Sequence, residues 1–301
     1  MYILQHTLEC FNEWEEEMKS IQPKVLIVIL NYGTYELTLN LIKDLRTDLD
    51  YDNYSIMVVD NCSPNESAKV LEEKKVEMDY IFYANEENSG YAAGNNIGIR
   101  YGIEHGFAYS WILNNDVELR EKNVLERMVE IMEQNSGIAV VGPRIISAGG
   151  TPVAPFCNRP TFWSMTLGIK QERDYRRTQM DISREVYCVY GCCVLLRNTA
   201  MDDIDCMDER TFLYGEENIL AERLLLQGYI SYYIADVSVK HNESTSMTQM
   251  SKDKLRMQIR ENRKSGEIYL KDYRHFVAPA RWMCHVVRIL ILYFRNKFNS
   301  V

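Results

Sequence analysis

Three apolar runs in the first 120 residues stop abruptly on amides or carboxylates. Lys24 to Leu30 ends at Asn31-Tyr32-Gly33, Ser55 to Val59 at Asp60-Asn61-Cys62-Ser63-Pro64, and Tyr109 to Leu113 at Asn114-Asn115-Asp116. The first is continuous and rich in β-branched residues, as a strand buried on both faces must be. A shorter run, Tyr80 to Tyr83, leads into Asn85 to Ser89. Between these runs the period changes. Leu37, Leu41, Ile42 and Leu45 share one helical face after Thr34, a residue suited to capping. Further helices are expected around Glu66 to Lys75, Tyr91 to Glu104 and Lys122 to Gln134, with a strand Ile138 to Gly142 after the last. Strands alternating with helices predict βαβ units and a mostly parallel sheet. Ligands of such sheets gather beyond the carboxyl ends of the strands, where the polar stops stand.

Asp116 is the first candidate metal ligand, with Asn115 and Glu118 as helpers, because hard cations such as Mg²⁺ bridge carboxylate oxygens and substrate phosphates. The alternative is a plain turn, Asn114 to Asp116, capping a helix that starts near Arg120. The stretch Asn88 to Gly98 lacks the G-x-G-x-x-G dinucleotide fingerprint. Its Gly90, Gly94 and Gly98 fall on one helix face. Tight packing on the sheet accounts for Gly94 and Gly98, whereas Asn88 and Gly90, at the loop-to-helix junction, are placed to meet a substrate.

After Gly149-Gly150-Thr151-Pro152 the pattern breaks. Phe156 to Glu185 is irregular, with Arg173, Arg176 and Arg177 clustered, and reads as an insertion over the active face. Val186 to Arg197 is a strand pair or one strand broken at Gly191, where an interior glycine marks a bulge or a close approach. Eight scattered cysteines, with no C-x-x-C and no histidine near Cys188, Cys192 and Cys193, read as reduced, small buried hydrophobes rather than a zinc site. Glu216 and Glu217 open a helix carrying Ile219, Leu220, Leu224 and Leu226. They either favour its dipole or, beside Phe212 and Tyr214, supply a general base. Two strands, Tyr229 to Ile234 and Val237 to Lys240, precede His241, a structural residue or a metal ligand.

Charge divides the chain. From Ser251 onward twelve Lys/Arg face four Asp/Glu, giving +8, and the first 250 residues carry −17 of the net −9. An acidic body argues against nucleic-acid binding, and a basic tail points to an anionic partner. A basic helix is expected over Lys252 to Tyr273. In 280–298, Arg281, Arg288 and Arg295 make one stripe among Trp282, Met283, Val286, Val287 and Ile289 to Phe294. Such a helix lies on an anionic membrane or packs on the domain or a partner subunit. No run of about eighteen apolar residues exists, so no spanning helix is expected. The acidic start, with Glu9, Glu13 and Glu15 to Glu17, does not resemble a secretion signal, so a cytoplasmic location, peripheral at the inner membrane face, is expected.

Taken in order, these motifs resemble the inverting glycosyltransferases of family 2, of GT-A fold, and best their bacterial rhamnosyltransferase-like branch, over roughly Lys24 to Ser246. Val28 to Tyr32 is similar to the first strand and nucleotide-contacting loop, and Asp60-Asn61-Cys62-Ser63 to the element whose Asp meets the donor base. Asn88 to Asn96, with Gly90 and Asn95, resembles the asparagine-glycine donor loop, and Asn114-Asn115-Asp116 the Asp-x-Asp metal motif. Gly191 and Tyr214 fall on the acceptor side, Glu216-Glu217 at the base motif, and His241 at a C-terminal metal-linked histidine. Two departures stand out: Asn114 replaces the first Asp, and Glu217 replaces an Asp, extending the base by roughly 1.5 Å.

The resemblance implies a mixed, mostly parallel α/β sheet flanked by helices. It divides the chain into an acidic leader (1–22), a catalytic domain (23–248, halves meeting near 145) and C-terminal helices (249–301). It implies a UDP- or dTDP-sugar donor such as dTDP-rhamnose, a saccharide or lipid-linked acceptor in cell-surface polysaccharide synthesis, and a divalent cation, Mg²⁺ or Mn²⁺, on Asp116 and His241. Glu217, with Glu216 as substitute, would take the acceptor proton. A nucleotidyltransferase of similar fold, or a non-catalytic nucleotide-sugar-binding protein, is the alternative. Oligomerisation stays open.

Overall fold

The computed structural model describes residues 22–167, 180–242, 252–284 and 286–287. The polar stops all sit at one edge because their strands run in parallel. Strands β1 (Val25–Asn31), β2 (Tyr54–Asp60), β3 (Ile81–Ala84) and β4 (Tyr109–Leu113) form the parallel half, in the order β3-β2-β1-β4. The β1–β2 register pairs Asn31 with Asp60, bringing two of the three stops side by side.

Helices α1 (Tyr35–Asp48), α2 (Ser67–Lys74) and α3 (Gly90–Glu104) connect these strands. Strand β5 (Val117–Leu119), helix α4 (Val124–Gln134) and strand β6 (Ile138–Ser147) follow. The helix expected near Arg120 thus starts later. Val117 to Leu119 instead satisfy their backbone groups against a later strand. Thr34 precedes α1, but its hydroxyl makes no capping bond; it accepts the Asn115 amide at 2.9 Å.

Alternation along β1 sorts the core into two layers. Val25, Ile27 and Ile29 face Leu41, Ile42 and Leu45 of α1 and Leu125, Met128 and Met132 of α4. Leu26 and Val28 face Ala92 and Ile99 of α3 on the other side. Each fully buried side chain of this kind contributes roughly 1.5–3 kcal/mol. Helix α3 lies very close to β1, since a Cβ on Gly98 would stand 2.4 Å from Val28 Cγ1. The packing expectation for the glycine face therefore holds.

The second half departs more from expectation. After β7 (Pro152–Val153) the insertion contains α5 (Phe162–Leu167); Arg173, Arg176 and Arg177 lie outside the described residues. Of the two readings of Val186 to Arg197, the strand pair does not form, and the break at Gly191 extends over residues 187–192. β8 (Arg184–Val186) pairs with a different strand, and β9 (Cys193–Arg197) enters antiparallel between β4 and β6. Helices α6 (Asn198–Asp203) and α7 (Glu216–Leu226) follow. The two strands expected before His241 are one, β10 (Ile230–His241), bulged between Tyr233 and Ser238.

Helix α8 (Lys252–Ile268) widens at its end into a π-helical turn, Tyr269–Tyr273, and a further helix begins at 278. Ile219 of α7 is buried against Tyr269, Leu270 and Cys284, with Phe162 and Met165 of α5 beside them. The insertion thus helps build a satellite core. Glu222 of α7, almost fully buried, receives Arg159 Nε at 2.8 Å and Tyr187 Oη at 2.8 Å, with Arg274 Nε at 3.7 Å. Of the 280–298 stripe, 288–298 lies outside the described residues; Arg281 pairs with Glu267 at 2.7 Å, and Trp282 is exposed.

Candidate active site

At the carboxyl edge, one hydrogen-bonded chain joins the first three polar stops. Asn31 Nδ2 donates to Asp60 Oδ1 at 2.7 Å, and Thr38 donates to Asn31 Oδ1 at 2.9 Å. Asn115 Nδ2 donates to the hydroxyls of Thr34 and Thr38, both at 2.9 Å. Ser63 closes the loop after β2, its backbone N–H and hydroxyl donating to Asp60 at 2.9 and 2.6 Å. A carboxylate offers about four lone-pair sites, and these three bonds leave one on Asp60 Oδ2. Tyr32 is half exposed above this loop.

The asparagine-glycine loop is tied to the same edge by Asn61. Its amide donates to Asn88 Oδ1 at 3.0 Å and to the Gly90 carbonyl at 3.1 Å, and its carbonyl accepts from Asn85. Gly90 has φ +88°, and a Cβ there would lie 2.3 Å from the Phe212 carbonyl oxygen, so only glycine fits. Asn95 does not reach this surface. It is fully buried in α3, donating to the Tyr91 carbonyl at 2.9 Å. Its neighbour Asn96 binds Met207 and Glu209 and anchors α3 to the segment before α7.

Asp116 meets His241. Antiparallel pairing of β10 with β5 sets His241 opposite Val117, and His241 Nε2 lies 3.2 Å from Asp116 Oδ1. That oxygen is buried and has no aligned hydrogen bond. Glu118, expected as a helper, is drawn outward by Lys240 at 3.2 Å and Asn242 at 3.4 Å, which lower its pKa. Burial opposes a charged imidazole, but contacts with Asp116 and Cys192 outweigh it and push the His241 pKa up to about 10. Among the described residues no group of three or more His, Cys, Asp or Glu is placed to hold a metal. An orphaned carboxylate oxygen beside an imidazole still makes an oxygen–nitrogen donor pair that fits Mn²⁺ or Mg²⁺ when a diphosphate adds oxygens. A bound cation would displace the imidazole proton.

Glu217 lies across a two-residue step from this pair. The Gly191 N–H points at Glu217 Oε1, 3.4 Å away, and Gly191 O accepts from Tyr91 Oη at 2.6 Å. The next residue, Cys192, contacts His241 through its thiol, and its carbonyl accepts the Asn114 N–H at 2.9 Å. Glu216 faces the opposite fate to Glu217: it is buried, its Oε1 has no partner, and burial plus the Glu217 charge raise its pKa to about 8. Tyr214 and Gly215, both at positive φ, turn the chain into α7 so that these carboxylates open it. Thr38 and Tyr91 carry no role in the sequence reading, where Thr34 figures only as a helix cap and Cys192 only as a buried thiol. Tyr91 sat inside a quoted motif, but its hydroxyl partner is 100 residues away.

A sheet of this topology, flanked by helices, has the GT-A fold, with a carboxylate–imidazole pair at its edge and a second carboxylate at the start of α7. The mannosyltransferase PcManGT from Pyrobaculum calidifontis, solved with GDP-Man and Mn²⁺, superposes with TM-score 0.56 at 13% identity, covering 88% of this chain and 69% of that one. TarS of S. aureus, solved with UDP, gives 0.53 at 13% identity over 81% of this chain and 65% of that chain. The profile of glycosyl transferase family 2 matches residues 25–205, and the chain belongs to this family. It is 24% identical over 84% of its length to the low-salt glycan biosynthesis hexosyltransferase Agl10 of Haloferax volcanii, covering 74% of that protein. It is 23% identical over 69% of its length to the dTDP-rhamnosyl transferase RfbF of Shigella flexneri, covering 66% of it. A stretch of 112 residues is 33% identical to the N-acetylglucosaminyl-diphospho-decaprenol L-rhamnosyltransferase of Mycobacterium tuberculosis, about a third of each protein. The expected family, fold class and glycosyltransferase activity are thereby borne out.

Proposed function

We propose that the protein transfers a sugar, with inversion at the anomeric carbon, from a UDP- or dTDP-sugar to a saccharide or lipid-linked acceptor. The observation that carries this reading is the Gly191-Cys192 step, which contacts Glu217 on one side and the Asp116–His241 pair on the other. Asn31, Asp60, Asn61, Ser63 and Asn88 form the donor edge, with the free lone pair of Asp60 Oδ2 available to an N–H of the base. Asn115 shapes that edge through Thr34 and Thr38, and Gly90 lets the donor loop approach. Asp116 and His241 would hold Mn²⁺ or Mg²⁺, which when bound would supply Lewis-acid stabilisation of the departing diphosphate. Glu217 accepts the acceptor hydroxyl's proton as that oxygen attacks; Glu216, buried and kept protonated toward neutrality, is the weaker candidate.

dTDP-rhamnose is the preferred donor because two relatives are named for rhamnosyl transfer. The basic tail and exposed Trp282 support peripheral placement on the cytoplasmic face of a membrane. Among the described residues no helix is long and apolar enough to cross one.

A thermal-shift panel of UDP-, dTDP- and GDP-sugars with Mn²⁺ or Mg²⁺, followed by nucleoside diphosphate release with and without acceptor lipid, tests the reading. Metal-dependent stabilisation and acceptor-dependent release are expected. Pyrophosphate release from a nucleoside triphosphate and a sugar phosphate would point to a nucleotidyltransferase instead. Binding without release would leave a non-catalytic protein. Leu30 to Thr34 carries no Lys or Arg to hold a triphosphate, which disfavours the first of these alternatives.

A further inference from the structure

We infer that Tyr91 is a positioning residue for transfer, its hydroxyl clamping the Gly191-Cys192 step so that Glu217 stays aimed at the acceptor. This rests on the reading of Glu217 as the base. Tyr91 occupies a position that looks like ordinary helix packing, yet its hydroxyl donates to the Gly191 carbonyl at 2.6 Å. The space around Gly191 is measured by the same two groups: a Cβ there would lie 3.0 Å from Tyr91 Oη and 3.2 Å from Glu217 Oε1. The tyrosine hydroxyl and the carboxylate thus both lie against the side of Gly191 that bears no side chain.

Tyr91 is itself held at two points. Its backbone N–H donates to the Phe212 carbonyl at 2.9 Å, just ahead of the turn into α7. Its neighbour Gly90 is held by Asn61 of the donor edge at 3.1 Å. One side chain therefore spans from the donor loop to the residue beside the base. Burial, then the nearby Glu217 charge, raise the Tyr91 pKa well above that of a free tyrosine, so the hydroxyl keeps its proton and remains a donor. The other titratable groups around Glu217 are Glu216 on its own helix and Cys192 on the step, whose thiol burial raises.

Tyr91→Phe removes only the hydroxyl. With dTDP-rhamnose and an N-acetylglucosaminyl-diphospho-lipid, kcat should fall about tenfold to a hundredfold, as small misplacement of reacting groups does. Donor KM should stay within about twofold. Loss of a well-placed Gly191 N–H disfavours the charged carboxylate, so the acid limb of the rate profile should move up by about half a unit. A ¹³C-carboxyl titration, with Glu217 assigned by comparison to Glu217→Gln, should show the same upward shift and needs no substrate. Tyr91→Phe leaving both the Glu217 titration and kcat unchanged, while Glu217→Gln is inactive, would overturn the positioning role alone. Full turnover in Glu217→Gln would remove the base and this inference with it.

Discussion

His241 Nε2 and Asp116 Oδ1 lie 3.2 Å apart although 125 residues separate them, because β10 and β5 pair antiparallel at the sheet edge. The contact sets a buried carboxylate oxygen against an imidazole at this edge, and it makes the cation hypothesis testable.

Asp116→Ala and His241→Ala should each weaken Mn²⁺-dependent nucleoside diphosphate binding by roughly tenfold to a hundredfold. Calorimetric titration with and without the metal reads this directly. Equal affinity of the parent and both variants, with the metal and without it, would exclude both side chains as ligands.

Glu217→Gln should lower kcat by roughly 10²–10⁴, the usual contribution of a positioned base, while leaving donor affinity within about twofold. Glu216→Gln should cost far less. Should the order be reversed, Glu216 is the base.

Glu216 also makes a stability prediction with a definite sign. Its folded-state pKa is raised from 4.5 to about 8. Its contribution is therefore fully present below pH 4.5 and is lost as pH rises toward 8, because the unfolded chain ionises first. Glu216→Gln cannot titrate, so its melting temperature should gain on the parent between pH 5 and pH 8.5, by about 5 °C. A constant difference across that range would show that Glu216 titrates normally.

Glu222→Ala should destabilise the fold by roughly 3 kcal/mol, since it leaves Arg274, 12% exposed, without its buried counter-ion. Denaturant unfolding measures it. A loss below about 1 kcal/mol would mean that Arg159 and Arg274 find other partners.

The tail should bring the protein down with anionic phosphatidylglycerol vesicles but not with neutral phosphatidylcholine, and Trp282→Ala should weaken this association. Binding to both lipids alike would discount the charge; a dimer in solution with no vesicle binding would assign the tail to self-association.

Much of the polar edge was legible from sequence because a buried parallel strand ending in Asn or Asp leaves the polar residue one place to go. Asn31, Asp60 and Asp116 stand where their strands stop. The other half was harder. Nothing local tells that Cys193 to Arg197 slips between β4 and β6, since that placement depends on long-range pairing. Asn95, assigned to the donor loop by resemblance, falls within the helix expected from Tyr91 to Glu104, and α3 turns its amide inward. Tyr91 and Cys192 were invisible for a simpler reason: each acts through a partner far along the chain, His241 or Gly191, and spacing carries no trace of it.

The satellite core has a practical corollary for anyone trimming this enzyme. Ending the polypeptide where the sheet ends, after His241, would discard Tyr269, Leu270, Arg274 and Cys284. Helix α7 would then lose its backing at Ile219 and one of its two counter-charges at Glu222, that of Arg274. A fragment ended at His241 would keep the described sheet whole and still lack the packing beneath the helix that carries Glu217.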